Sequence, residues 1–144
     1  MESPSLKFKL LSPNAKLPQY AHTTNAGFDL YSLETETLKP GERHLFIIGI
    51  ASEIPEDWFV SLRDKSGLAT KYGLHNLGGV IDSGYRGEWG VNMINLGKEE
   101  CTIEVGDKIS QGILQQAPQA NIQEVKELSE SDRGEGGFGS TGKQ

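Results

Sequence analysis

Trp58-Phe59-Val60-Ser61-Leu62-Arg63 puts Trp58, Val60 and Leu62 on one face of an extended chain. That period of two is the mark of a half-buried strand. Lys7-Phe8-Lys9-Leu10 repeats it, with Phe8 and Leu10 together. Outward from these runs, residues 6–11, 42–51, 58–63, 88–96, 102–105, 108–116 and 121–125 read as strands. Turn signals separate them at Lys39-Pro40-Gly41-Glu42, Leu96-Gly97-Lys98 and Val105-Gly106-Asp107. Short strands at this spacing imply an all-β sandwich or jelly roll. One short helix is expected near residues 68–72, and no internal repeat is evident.

The chain has 144 residues, enough for one domain with a sizeable core. Its net charge of −6 argues against a polynucleotide partner, because phosphate backbones are held by basic faces. A small anionic ligand remains compatible with a locally basic or metal-bearing site. No run approaches the roughly 18 apolar residues of a membrane span. Residues 1–11 lack the apolar stretch of a secretory signal. The single cysteine, Cys101, sits in a strand-like run with no activating His or Lys beside it. It reads as a small half-buried residue, and a reducing compartment is expected. His22, His44 and His75 are far apart and show no zinc-ligand spacing.

Composition breaks near Ser129. Residues 1–128 are expected to form the β domain and residues 129–144 a flexible arm. The arm holds five glycines and one large apolar side chain, Phe138. Such a segment cannot offset its ordering entropy by burial, so composition alone reads as disorder. Gly134-Glu135-Gly136-Gly137-Phe138-Gly139 matches G-x-G-x-x-G, but a dinucleotide fingerprint needs a helix after it and the chain ends five residues on. A near match to the P-loop fails because Lys143 is followed by Gln144. What remains is physical. Glycine amides can wrap phosphate oxygens, Ser140 and Thr141 add hydroxyls, Arg133 adds a fork, and Phe138 offers a flat face for a base.

Five segments, in order, resemble the five signature motifs of the deoxyuridine triphosphatase family. They are Ala26-Gly27-Phe28-Asp29-Leu30-Tyr31-Ser32, Lys65-Ser66-Gly67-Leu68-Ala69, Gly79-Val80-Ile81-Asp82-Ser83-Gly84-Tyr85-Arg86-Gly87-Glu88, Gly106-Asp107-Lys108-Ile109-Ser110-Gln111, and Arg133-Gly134-Glu135-Gly136-Gly137-Phe138-Gly139-Ser140-Thr141-Gly142. Each alone is weak; five in family order span nearly the whole chain. The resemblance implies a jelly-roll-like subunit, a homotrimer, and three sites at subunit boundaries that each draw on all three chains. It also implies the reaction: dUTP plus water gives dUMP and pyrophosphate, with Mg²⁺. That activity limits uracil in DNA and supplies dUMP for dTMP synthesis. The expected location is the cytoplasm, or the nucleus for a eukaryotic or viral source.

The resemblance also assigns roles. Asp82 matches the carboxylate that deprotonates the attacking water; a lone Asp at a turn would otherwise bond its own backbone. Tyr85 matches the aromatic that packs on deoxyribose and excludes a 2′-hydroxyl. Asn76 and the hairpin around Gly78, Gly79, Val80 and Ile81 match the uracil reader, although a hairpin glycine could equally mark a bulge. Lys65, Ser66 and Gly67 match donors to the α/β phosphates, and Gln111 an amide near the α-phosphate. In the arm, Phe138 would cover uracil, Arg133, Gly136, Gly137 and Gly139 would approach the phosphates, and Ser140 and Thr141 would reach the γ-end. Asp29 matches an acid that touches the metal through water; a structural loop Asp is an equal reading. Two departures stand out. Family members often read Pro-Arg-Ser-Gly where this chain reads Asp64-Lys65-Ser66-Gly67, and Lys lacks the planar fork of Arg. Gly84 stands where an acid is frequent.

Two rivals share the scaffold. A deoxycytidine triphosphate deaminase would need a proton-shuttling glutamate and an Arg-Ser-Ser type segment; here the second motif reads Lys65-Ser66-Gly67, and Glu88 is the only acid that could be conscripted. A nucleotide sensor or protein-binding trimer would bind dUTP without turnover, yet every recognised chemical position is filled.

Overall fold

The computed structural model describes residues 2–143. Eleven strands and one helix follow in order: β1 Lys7–Leu10, β2 Phe28–Tyr31, β3 Glu36–Leu38, β4 Arg43–Ile47, β5 Ile50–Glu53, β6 Trp58–Arg63, α1 Ser66–Tyr72, β7 Leu74–Leu77, β8 Val80–Asp82, β9 Gly90–Asn95, β10 Cys101–Ile103 and β11 Lys108–Gln116. They form a four-stranded sheet, β2-β11-β6-β8, and a three-stranded sheet, β4-β9-β7. Two antiparallel pairs, β1-β5 and β10-β3, complete a β-sandwich-like fold. One core joins all of them. Val60, Leu62, Ile81 and Ile109 meet Phe46, Val91, Met93 and Leu74 from the facing sheet, with Trp89 fully buried between.

The alternation of β6 decides its place. Val60 and Leu62 point into the core while Ser61 and Arg63 stay more exposed, and the strand pairs on one side with β11 and on the other with β8. Trp58 enters from a tight turn in which its N–H donates to the Pro55 carbonyl and Asp57 takes a positive φ of 64°. A left-handed Asp is tolerated at such a turn.

The expected strand at 42–51 is two strands in different sheets. Gly49, at φ 71°, breaks it, and a Cβ there would lie 2.6 Å from Leu33. β4 stays with β9 while β5 leaves to pair with β1. The strand expected at 121–125 does not form. Ile122, Val125 and Leu128 are exposed, and β11 ends at Gln116. Apolar alternation supplies only half of a strand; the other half is a free sheet edge. Strands β2, β3, β7 and β8, of three or four residues each, were not expected. The helix starts earlier than expected, at Ser66, and ends on Gly73 in the left-handed conformation with its N–H donating to the Ala69 carbonyl.

Candidate active site

The segment expected to be a hairpin around Gly78-Gly79 is a crossing between sheets. β7 pairs with β9, whereas β8 pairs with β6. Gly78 and Gly79 make the change of direction at φ 67° and 105°. At Gly79 a Cβ would sit 2.9 Å from Asn76 Nδ2 and 3.0 Å from Leu62, so the close approach as well as the φ requires glycine.

Two clefts open on either side of this crossing. The larger, about 690 Å³, is bordered by Asp64, His75, Asn76, Gly79, Val80 and Gln111 among others. The smaller, about 460 Å³, takes in Ile81, Asp82, Tyr85 and Glu88, and shares Leu62, Leu77, Gly79 and Val80 with the first. The expected base-reading residues and the expected catalytic carboxylate are therefore brought to one continuous surface.

Each is held by short-range structure. Asp82 ends β8, opposite Phe59, and its carbonyl accepts the Tyr85 N–H at 3.1 Å, closing the turn Asp82-Ser83-Gly84-Tyr85. Its carboxylate is on an exposed residue. The Tyr85 hydroxyl donates to the Glu88 carbonyl at 2.7 Å, and Gly87 leaves room for the ring. Arg86 Nη1 donates to the Ser83 carbonyl at 2.6 Å, bracing the same turn. Glu88 lies in the loop before β9 rather than in a return strand.

Two buried asparagines on adjacent strands differ instructively. Asn95 is satisfied: Nδ2 donates to the carbonyls of Leu38 and Glu99 and Oδ1 accepts the Gly97 N–H, at 2.8–2.9 Å. Asn76 is 7% exposed, yet its Oδ1 has no hydrogen-bond partner. An open acceptor inside a protein costs about 1–3 kcal/mol, so native structures keep one where a ligand or water will meet it.

Asp29, expected beside a metal's water shell, is 3% exposed and engaged by two lysines. Lys65 Nζ is 2.6 Å from Oδ1 and Lys108 Nζ 3.2 Å from Oδ2. Burial pushes its carboxyl up, but the two ammonium groups outweigh that and hold it below the ordinary carboxylate value. Among the described residues, no three His, Cys, Asp or Glu side chains gather into a metal cage.

Gln111 donates its Nε2–H to the Asp64 carbonyl at 2.8 Å and lies over Gly27, where a Cβ would overlap its side chain. Lys65, Ser66 and Gly67 open α1 and border neither cleft. The arm is not brought to the clefts either. Among the described residues, hydrogen bonds of residues 131–142 close within that segment, such as Arg133 Nε to the Gly136 carbonyl at 2.6 Å. Gly136, Gly137, Gly139, Ser140 and Thr141 lie in its turns, and Phe138 is fully exposed at φ 51°. Sequence reasoning missed Asp64 and His75 as cleft residues; an acid and a histidine eleven positions apart carry no recognisable spacing.

No helix among the described residues is long and apolar enough to cross a membrane. Known proteins resemble the chain along its length. The deoxyuridine 5'-triphosphate nucleotidohydrolase of Clostridium tetani is 50% identical over 141 residues, covering 96% of this chain and 97% of that protein. The protein of the same name from Nautilia profundicola is 47% identical over 140 residues, covering 96% and 99%. Among solved structures, the dUTPase of Staphylococcus bacteriophage 80alpha with dUPNHPP superposes with a TM-score of 0.92 at 32% identity, covering 97% of this chain and 99% of that one. A mutant dUTPase from phage phi11 of S. aureus, described as revealing the coordination of a structural Mg(II) ion, gives 0.81 at 29% identity, covering 86% and 98%. With the dUTPase family model matching residues 13–142, these likenesses show that the chain belongs to the dUTPase family.

Proposed function

We propose that this protein hydrolyses dUTP to dUMP and pyrophosphate, with Asp82 as general base. The observation that carries the reading is the unpartnered, buried Oδ1 of Asn76, a residue that borders a cleft continuous with that of Asp82. Uracil offers an N3–H donor where cytosine offers a bare acceptor, so an open acceptor selects uracil. A mismatched base would leave a buried polar pair unmade, the kind of contrast that yields strong discrimination. The glycine crossing lets backbone groups of Gly79, Val80 and Ile81 approach the base. Tyr85, half-exposed and tied through its hydroxyl, packs on the sugar and leaves no space for a 2′-hydroxyl.

Asp82 holds a water and takes its proton as the oxygen attacks the α-phosphorus. The bond from that phosphorus to the α,β-bridging oxygen breaks, and pyrophosphate leaves with the electron pair. General-base assistance of this kind contributes about 10²–10⁴-fold. Lys65, Ser66, Gly67 and Gln111 hold the phosphates. Mg²⁺ would be held chiefly by the phosphate oxygens, with Asp29 behind its waters once an ammonium group has moved to phosphate, and would supply two positive charges that orient the triphosphate.

The unit that does this is a homotrimer with shared sites. Lys65, Ser66, Gly67 and the arm lie off the clefts that hold Asn76 and Asp82, as expected where neighbouring chains supply them. Residues 1–128 form the catalytic body. Residues 129–144 form the flexible arm, donated in trans, where Arg133, Gly136, Gly137, Phe138, Gly139, Ser140 and Thr141 close over the nucleotide. Bacterial relatives and the nucleotide substrate favour a cytoplasmic setting, where hydrolysis keeps uracil out of DNA and supplies dUMP for dTMP synthesis.

The test is Asp82→Asn. Turnover should fall by about 10³-fold while dUTP still binds, because the water loses its base; retention of more than a tenth of the wild-type rate sinks the assignment.

A further inference from the structure

Asp64 is where three polar residues of the larger cleft converge. It follows β6 directly, and its side chain is 29% exposed. Its Oδ1 accepts the backbone N–H of Asn76 on β7. Its Oδ2 lies 2.6 Å from His75 Nδ1. Its carbonyl accepts the Gln111 Nε2–H from β11 at 2.8 Å. Leu62 makes a second tie across that cleft, pairing with Gly112 of β11 and donating its N–H to the Gly79 carbonyl. β7 is the edge strand of its sheet, paired with β9, and the Asp64 carboxylate grips it from the other side.

We infer that Asp64 is a positioning residue for base recognition: its carboxylate fixes the Asn76 backbone and the His75 ring, and so sets where the open Asn76 amide meets the pyrimidine edge. The inference rests on the proposed dUTP reading of the site. A charged acceptor on a backbone N–H is stronger than a neutral one. Asn76 cannot carry its unpartnered Oδ1 at a fixed depth unless its own backbone is held. The grip on Asn76 N–H comes from a side chain, because Asn76 pairs with Met93 on one side only. His75 completes the clamp by occupying the second oxygen, which keeps the carboxylate turned towards β7. Pro, often found at this place in the family, could offer no such acceptor. In this chain the orientation of the base reader is thus assigned to a side chain that acts through Asn76.

The experiment is steady-state kinetics of the full-length protein with dUTP and dCTP, in Mg²⁺, for wild type, Asp64→Ala, Asp64→Asn and His75→Gln. For Asp64→Ala we expect KM for dUTP to rise roughly 10-fold or more, the scale of a lost charge-assisted hydrogen bond. Its kcat should stay within about threefold and its preference for dUTP over dCTP should shrink by a similar factor. Asp64→Asn keeps an acceptor for the Asn76 N–H and should restore KM to within about threefold of wild type. His75→Gln, which leaves Asp64 in place, should raise KM only about two- to fivefold and serves where Asp64→Ala does not fold. Unchanged KM and preference in Asp64→Ala overturn the inference, as does a fall in kcat alone. Where Asp64→Ala does not fold, an unchanged KM in His75→Gln overturns it. If the wild type turns over dUTP, such a result leaves the activity standing; if it does not, both fall together.

Discussion

Gly79 and Gly137 both carry site assignments, but the molecule treats them differently. At Gly79 the chain crosses from one sheet to the other, with Asn76 and Leu62 pressed within 3.0 Å of where a Cβ would be. At Gly137 the nearest such atom is an Arg133 nitrogen at 3.8 Å, and at Gly134, Gly139 and Gly142 there is nothing within 4 Å. At Gly79 glycine is demanded by the fold. In the arm the tightest position is Gly136, where a Cβ would lie 3.2 Å from the Arg133 carbonyl and the Ser140 hydroxyl; at Gly137 packing makes no such demand, and what favours glycine there is backbone conformation or what the arm closes upon. On the proposed reading, the body carries a site that is organised before substrate arrives, and the arm carries donors that become organised by binding.

The largest expected effect breaks the two regions apart. Removing residues 133–144 should lower dUTP turnover by about 10²–10³-fold, as loss of a closing lid does. The melting temperature and the mass, about three times 15.7 kDa by light scattering, should stay unchanged. A monomer, or a large drop in melting temperature, would show that the arm is part of the body. Phe138→Ala should raise KM by about 10-fold, within the range for one base–aromatic stack, without touching stability. Gly79→Ala should do the reverse of an arm change, lowering unfolding free energy by about 1–3 kcal/mol in a urea titration, while Gly137→Ala leaves it unmoved.

The smallest effect concerns charge. Asp29 has its carboxyl held below its ordinary 3.8. Its stabilisation is therefore full above that ordinary value and is lost as pH falls through the lower folded value. Acid unfolding followed below about pH 4 should be less steep in Asp29→Asn than in wild type. Equal slopes would mean that the lysine pairs contribute nothing to folding.

Legibility in the sequence follows the same division. β6 could be read residue for residue, since an alternating run buries one face wherever it pairs, and β11 was legible by its length despite the irregularity between Lys108 and Ser110. The break at Gly49 and the crossing at Gly78-Gly79 could not, because which sheet a strand joins is decided by distant partners. Residues 121–125 had the pattern of a strand but found no edge. Among the proposed site residues, Asp82 and Tyr85 lie within a quoted motif and Asn76 just ahead of it, and the short turns of that stretch bring them to one surface. Asp64 was legible only as a departure from a pattern. Its hydrogen bonds to His75, Asn76 and Gln111 join positions 11, 12 and 47 residues away, a relation no local reading contains.

The central claim is that a surface built around an open Asn76 acceptor and Asp82 hydrolyses dUTP alone among common pyrimidine nucleotides. Pyrophosphate release measured with Mg²⁺ across dUTP, UTP, dTTP and dCTP tests it most directly. The account predicts release from dUTP with dCTP and UTP slower by at least about 10²-fold; dTTP keeps the N3–H, so only crowding of its 5-methyl slows it, by about 10-fold or more. Ammonia from dCTP, or UTP hydrolysed as fast as dUTP, would contradict it.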